Sequence, residues 1–264
     1  MKRRFLRNRN LVIILVLALG FAWSFTGIQW NRPLTHPQGL STMGEFLLAM
    51  VTPELSPSIL ILGLKASWRT LVFATCGMTL AVVIGFPLGV LASGTLARET
   101  RNQWFLTGMI RPVLGFMRSI HELVWAWLFV AALGLAPLAA IFAILIPYAG
   151  ILGRILADLL NDVPEEPLRS LRSAGASELQ VLLYGRIPYA VADIVSYTLY
   201  RFECAIRSAA IMSFIGLGGL GYQIEISLAD LKFSEAWTFV YCLIALVLFV
   251  NIWSSETRRA LTTQ

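Results

Sequence analysis

Residues 159–188 read LLNDVPEEPLRSLRSAGASELQVLLYGRIP, a polar stretch set between long apolar runs. It carries Asp162, Glu165, Glu166, Arg169, Arg172, Glu178 and Arg186, yet it is patterned and not merely polar. Pro164 and Pro167 open it. Leu168, Leu171 and Ala174, then Leu179, Leu182 and Leu183, supply apolar faces for two short helices. Gly175-Ala176-Ser177 forms a turn between them. Glu178 then falls in a first helical turn, where a carboxylate suits the positive end of the helix dipole. Pro188 closes the unit and admits the next apolar run. Two readings follow. The unit is a folded loop capping a bundle, or it docks a partner, because an amphipathic pair projecting from a membrane leaves an apolar face needing cover.

The surrounding composition places the chain in a bilayer. Of its 264 residues 57% are hydrophobic and 14% charged, and its mean hydropathy is +0.72. Soluble domains carry about 25% charged residues, and a surface this poor in charge would not keep a protein of this size dispersed in water. At about 20 residues per crossing, roughly five to seven spans fit. Cys76, Cys204 and Cys242 lie far apart in apolar segments, so no disulfide framework or C-x-x-C motif is present. The net charge of +6 is spread near segment ends instead of forming one patch, which argues against a nucleic-acid partner.

Six spans are expected. The first runs from Leu11 to Trp30 behind Lys2, Arg3, Arg4, Arg7 and Arg9, and is too long for the apolar region of a cleaved signal peptide. Residues 31–58 hold Pro33, Pro37, Pro53 and Pro57, with an amphipathic surface helix around Met43–Val51. The others are Trp68–Ser93, Ile120–Leu135, Pro137–Asp158, Tyr189–Ile215 and Trp237–Trp253. The mixed stretch 104–118 runs along or partly into the membrane, and a basic tail ends the chain. The N-terminus, the 94–103 and 159–188 loops and the C-terminus then share one side and hold twelve Lys and Arg residues. The opposite side holds Arg32, Lys65, Arg69 and Lys232. Positive charge favours the cytoplasmic side, so both termini are expected there.

Three charges fall inside the fifth span. Arg201, Glu203 and Arg207 are expensive in an apolar setting unless each faces a partner, water or a pathway. Glu203 and Arg207 are four apart and able to pair on one helix face, while Arg201 points about 120° away from Arg207. Arg201 is thus either part of a structural network or lines a route for an anion, whose oxygens a guanidinium binds two at a time. Gly216-x-Gly218-Gly219-x-Gly221 follows. No strand precedes it and no Gly-Lys-Ser/Thr follows it, so it is not a phosphate loop but a flexible extracytoplasmic turn near a gate. His121-Glu122 lacks the second histidine of a zinc motif, Trp125 standing there, and His36 reads as a surface residue. The sequence shows no nucleophile–base set, no metal cluster and no means of hydrolysing ATP.

The run Ser173-Ala174-Gly175-Ala176-Ser177-Glu178-Leu179-Gln180, with Ile187-Pro188 behind it, resembles the cytoplasmic "EAA" loop of bacterial ABC importer permeases. There too a glycine precedes a proline by thirteen positions, as Gly175 precedes Pro188. Arg169 stands where that motif has its glutamate, followed by Ser170 and Leu171 in place of two alanines. A second stretch, Tyr200-Arg201-Phe202-Glu203-Cys204-Ala205-Ile206-Arg207-Ser208-Ala209 followed by Ile215–Gly221, is similar to the fifth span of phosphonate- and phosphite-type permeases. Arg118-Ser119, Glu122-Leu123 and Gly134-Leu135 fit the same family.

The resemblance implies an all-α membrane protein of about six helices with the type I ABC importer permease fold. It divides the chain into an N-terminal helix and extracytoplasmic segment (1–64), a permease core (65–255) and a tail (256–264). It implies import of phosphonate or a related phosphorus oxyanion across the inner membrane. The implied partners are a second copy of the chain, two ATPase subunits that bind ATP and Mg, and an extracytoplasmic substrate-binding protein. Arg169, Ala174, Gly175, Ala176, Ser177, Glu178 and Pro188 would couple to the ATPase, and Arg201, Glu203, Arg207, Gly218 and Gly219 would line the pathway or gate. An ion-coupled secondary transporter of a small anion is the alternative, though no half-to-half repeat with broken helices is evident.

Overall fold

The computed structural model describes residues 2–27, 38–96 and 100–262. The predicted end of the first span at Trp30, together with His36, Arg98, Glu99 and both terminal residues, lies outside them. Among the described residues every regular element is a helix. The chain divides into two units, 1–48 and 49–264.

The first unit holds α1 (Lys2–Thr26) and most of α2 (Gly39–Ala49). From Leu11 to Gly27 the described side chains are exposed although mostly apolar, as suits a helix whose solvent is lipid. The expected amphipathic segment is α2.

The second unit is a bundle built on α3 (Pro57–Ser93) and α6 (Pro137–Asn161), which make its most extensive helix–helix contact. Small residues let them approach. A Cβ on Gly85 would lie 2.9 Å from the Ala149 carbonyl oxygen, and one on Gly89 2.7 Å from that of Gly153. Membrane helices associate through such close backbone contact, since lipid removes the hydrophobic drive between them. Phe73, Met78, Ile144, Tyr148, Ile206 and Met212 are buried in the surrounding core. Pro87 and Pro147 lie inside these helices without ending them, a tolerance common where neighbouring helices satisfy the freed carbonyls.

Among the described residues three helices are long and apolar enough to cross a membrane: α3, α6 and α11 (Phe233–Thr262). α3 begins well before the expected Trp68; its 37 residues span about 55 Å. α11 likewise continues through the expected tail to Thr262. The expected third span, Ile120–Leu135, is a single short helix, and the 104–118 stretch ahead of it is helical too. α4 (Thr100–Ser119) and α5 (Glu122–Leu133) meet at a bend of 86°. The twelve residues of α5 reach only about 18 Å, short of a hydrocarbon layer of about 30 Å. The bend is local chemistry: His121 takes an extended conformation, and its Nδ1 accepts from the Leu123 amide, starting a new helix. The second bent pair, at 42°, joins α9 (Ile187–Met212) to α10 (Leu220–Ala229).

Candidate functional site: a docking hairpin and a polar pathway

The 159–188 stretch folds as α7 (Glu165–Ser173) and α8 (Glu178–Val181), and a π-helical turn over Leu182–Arg186 leads on into α9. Gly175 sits between α7 and α8 at φ +86°, a left-handed conformation that favours glycine. Ser177 caps α8 reciprocally with Gln180, each side chain bonding the other's amide. Arg172 clamps the two helices, donating to Glu165 at 2.9 Å and to Glu178 at 3.2 Å. The bond to Arg172 holds the Glu165 carboxyl below its ordinary pKa. Arg186 is buried, donates to the Leu160 carbonyl and pairs with Glu165 at 3.1 Å. Burial pushes its pKa down, but an arginine stays charged.

Packing divides the expected apolar face in two. Leu168, Val181 and Leu182 are buried against Val90, Leu156, Leu160 and Val163, fixing the hairpin on the ends of α3 and α6. Gly185 permits this, since a Cβ there would lie 2.8 Å from Leu168 and 2.9 Å from Leu171. Truncating Leu168 to Ala would cost about 2–5 kcal/mol. Leu179, Leu183 and Tyr184 are exposed, and Leu171, Ala174, Gly175, Ala176, Gln180 and Tyr184 line an open hollow. Arg169 and Pro188 are also exposed. Of the expected docking residues, Ala174, Gly175 and Ala176 come together at the hollow, while Ser177 and Glu178 build the helix start beside it.

The charges of α9 do not pair as their spacing suggests. Glu203 lies 2.9 Å from Arg258 of α11, not against Arg207. Arg207 is exposed and contacts Cys204 Sγ at 3.6 Å. The reason is tertiary: α11 crosses α9 and brings a guanidinium to Glu203 that the sequence of α9 does not contain. Arg201 is half-buried and donates through Nε (2.9 Å) and a terminal nitrogen (2.6 Å) to Tyr197 Oη. Its guanidinium also lies 5.1 Å from the Tyr197 ring centre and 5.5 Å from that of Tyr200. Among the described residues no carboxylate lies within 4.0 Å of it. Arg201 is therefore an oriented cation and not the counter-charge of Glu203.

Two further features escaped the sequence reading. Tyr148 Oη lies 3.0 Å from Ser208 Oγ, which donates to Glu122 at 2.6 Å, a hydrogen-bonded chain tying α5, α6 and α9. Ser208 and Glu122 are distant in the chain, so no local pattern reveals them. The glycine turn, expected to be loose, is closely packed. Gly218 (φ +80°) abuts the Arg69 guanidinium, and Gly219 (φ +102°) abuts Thr70 and Ser213. Thr70 Oγ1 also accepts from the Leu220 amide at 3.0 Å. Among the described residues no three His, Cys, Asp or Glu side chains gather as a metal site requires.

A multi-span bundle with bent helices and a structured hairpin on its end is the architecture of an ABC importer permease subunit. Transporters of that kind share it: the MetNI methionine ABC transporter in an inward-facing conformation superposes with a TM-score of 0.68 at 21% identity, covering 78% of this chain and 99% of the other. An amino acid ABC transporter with histidines gives 0.60 at 16% identity, covering 83% and 97%. The chain belongs to the binding-protein-dependent transport system inner membrane component family, whose model matches residues 85–255. It is 30% identical over 247 residues to HtxC of Stutzerimonas stutzeri, assigned to phosphite transport, covering 93% of this chain and 84% of that one. It is 30% identical to the phosphite transport system permease protein PtxC of the same organism, with 72% and 68% covered. It is 29% identical to the phosphate-import permease protein PhnE of Mycolicibacterium smegmatis, with 87% and 42% covered. The chain is thus a multi-pass inner-membrane transport subunit, and the ion-coupled alternative falls away.

Proposed function

We propose that this chain is the permease of an ATP-driven importer whose cargo is a phosphorus oxyanion: phosphite, phosphate or a phosphonate. Arg201 carries the reading. An oriented guanidinium held by two tyrosines, with no carboxylate partner among the described residues, suits a fixed charge along an anion's route. The relatives named for phosphite, phosphate and phosphonate transport support the same class of cargo. Glu203 and Arg207 belong to the same stretch, Glu203 as part of the frame around it.

Two copies of the chain related by a twofold axis would supply two docking hairpins and enclose a path between them. Two ATPase subunits, binding ATP and Mg, would seat on the hollow at Ala174, Gly175 and Ala176, with Leu179, Leu183 and Tyr184 around it. Arg169, Ser177 and Pro188, also exposed, and the partly exposed Glu178 would contribute to the same contact. Both termini and the hairpin face the cytoplasm in this reading, and a substrate-binding protein delivers cargo on the other side. Residues 65–255 form the translocating core, with 1–64 and 256–264 as additions to it.

Two experiments test this. Co-expression with the candidate ATPase and binding protein should yield a complex that takes up radiolabelled phosphite or methylphosphonate only with ATP inside. A reporter active only outside the cytoplasm should be silent at Gln264 and active near Gln38. Uptake without ATP, or the reverse reporter pattern, overturns the reading.

A further inference from the structure

At the end of α3 remote from the docking hairpin lies a cavity of about 230 Å³, lined by Lys65, Arg69, Gly216, Gly218, Tyr222 and Gln223 among others. A single water needs only about 10–15 Å³, so there is room for a small polyatomic ion. Lys65 and Arg69 are four residues apart on one helix face, where like charges repel. Among the described residues neither has a carboxylate within 4.0 Å. Arg69 is positioned instead by the Phe73 ring, 5.5 Å from its guanidinium carbon, and by the bare backbone of Gly218. A Cβ at Gly218 would lie 2.7 Å from that carbon, so the guanidinium rests directly against the glycine backbone. The amides of Gly218 and Gly219 donate to no backbone or side-chain acceptor among the described residues. The ten-residue α10 begins directly after them, its first amide capped by Thr70.

Two exposed cations without a carboxylate partner among the described residues thus line one cavity with Gly218 and Gly219, and α10 begins beside it. We infer that it is an oxyanion-binding site that receives the tetrahedral phosphorus oxyanion as it enters the permease. This rests on the cargo class proposed above. Arg69 offers a planar fork to two oxygens, Lys65 a mobile point charge, and the glycine turn and α10 the amide dipoles that favour anions. Bound anion would also relieve the repulsion between the two cations. The cavity is about 30–40 Å along α3 from the hairpin contact at Val90, so substitutions here leave ATPase docking intact.

The test uses the complete transporter in liposomes, with radiolabelled phosphite and methylphosphonate as probes. Lys65→Gln with Arg69→Gln should cut the uptake rate about tenfold or more, with ATPase copurification unchanged and partial recovery in Arg69→Lys. Lys65→Gln alone, at an exposed position outside the packing of the glycine turn, should lower uptake about threefold. That single variant decides the matter if the double one fails to assemble. Uptake within about twofold of wild type for Lys65→Gln and for the double variant overturns the site while leaving the cargo class standing. A wild-type transporter that carries neither probe overturns both.

Discussion

Arg258 near the end of α11 reaches Glu203 inside α9 at 2.9 Å, and both side chains are largely withdrawn from solvent. This pair braces the fifth and last long helices. It leaves Arg201 without a carboxylate partner among the described residues, so the two arginines should respond differently to mutation. Arg258→Gln strips a mostly buried carboxylate of its guanidinium. A cost of about 1–3 kcal/mol and reduced membrane abundance are expected. Adding Glu203→Gln should restore much of the abundance, as no buried carboxylate is then left without its counter-charge. Immunoblotting of membranes is sufficient, and an unchanged level for Arg258→Gln would dismiss the brace.

Arg201→Gln should leave abundance and ATPase association normal while uptake of phosphite falls about tenfold or more. Lysine at this position keeps the charge but not the planar stacking on Tyr197 and Tyr200, so partial uptake is expected. Loss of the protein from the membrane in Arg201→Gln would mark the residue as structural.

Gly175 has open space around it, so only its φ of +86° constrains the side chain. Valine there should cost about 1–2 kcal/mol within the hairpin and break ATPase copurification while the chain remains in the membrane. Asparagine, which visits the left-handed region readily, should retain the complex. Equal behaviour of the two variants would show that backbone conformation is not what matters.

The Glu165–Arg172–Glu178 clamp sets a pH window. The Glu165 pKa is lowered in the folded hairpin. Its contribution to stability is therefore present above the unfolded value of about 4.3 and is lost as pH falls through the lower, folded value. Amide exchange across 165–178, corrected for intrinsic rates, should stay flat from pH 7 to about 5 and rise only below about 4. Protection lost already near pH 6 would contradict this assignment.

The class of the protein was written in local quantities. Its apolar content demanded a bilayer, and the periodicity of Leu168, Leu179 and Leu182 around Gly175 specified a helical hairpin in one long connection. The turn at Gly175 and the helix start at Glu178 follow from residues within a few positions, so they were legible. The boundary between the mixed 104–118 stretch and the span from Ile120 was legible, but the sharp bend there was not, because hydropathy does not register the bond of one ring nitrogen. Nor were the ion partners. Spacing within α9 offered Arg207 to Glu203, but the crossing of α11 supplied Arg258. The Gly216–Gly221 run read as slack because glycine permits many conformations. Packing of Arg69, Thr70 and Ser213 against it selects one. Hydropathy and periodicity are properties of neighbours along the chain. Which charge meets which, and where backbone comes close enough to need glycine, depend on how helices far apart in sequence cross, and only the tertiary structure decided them.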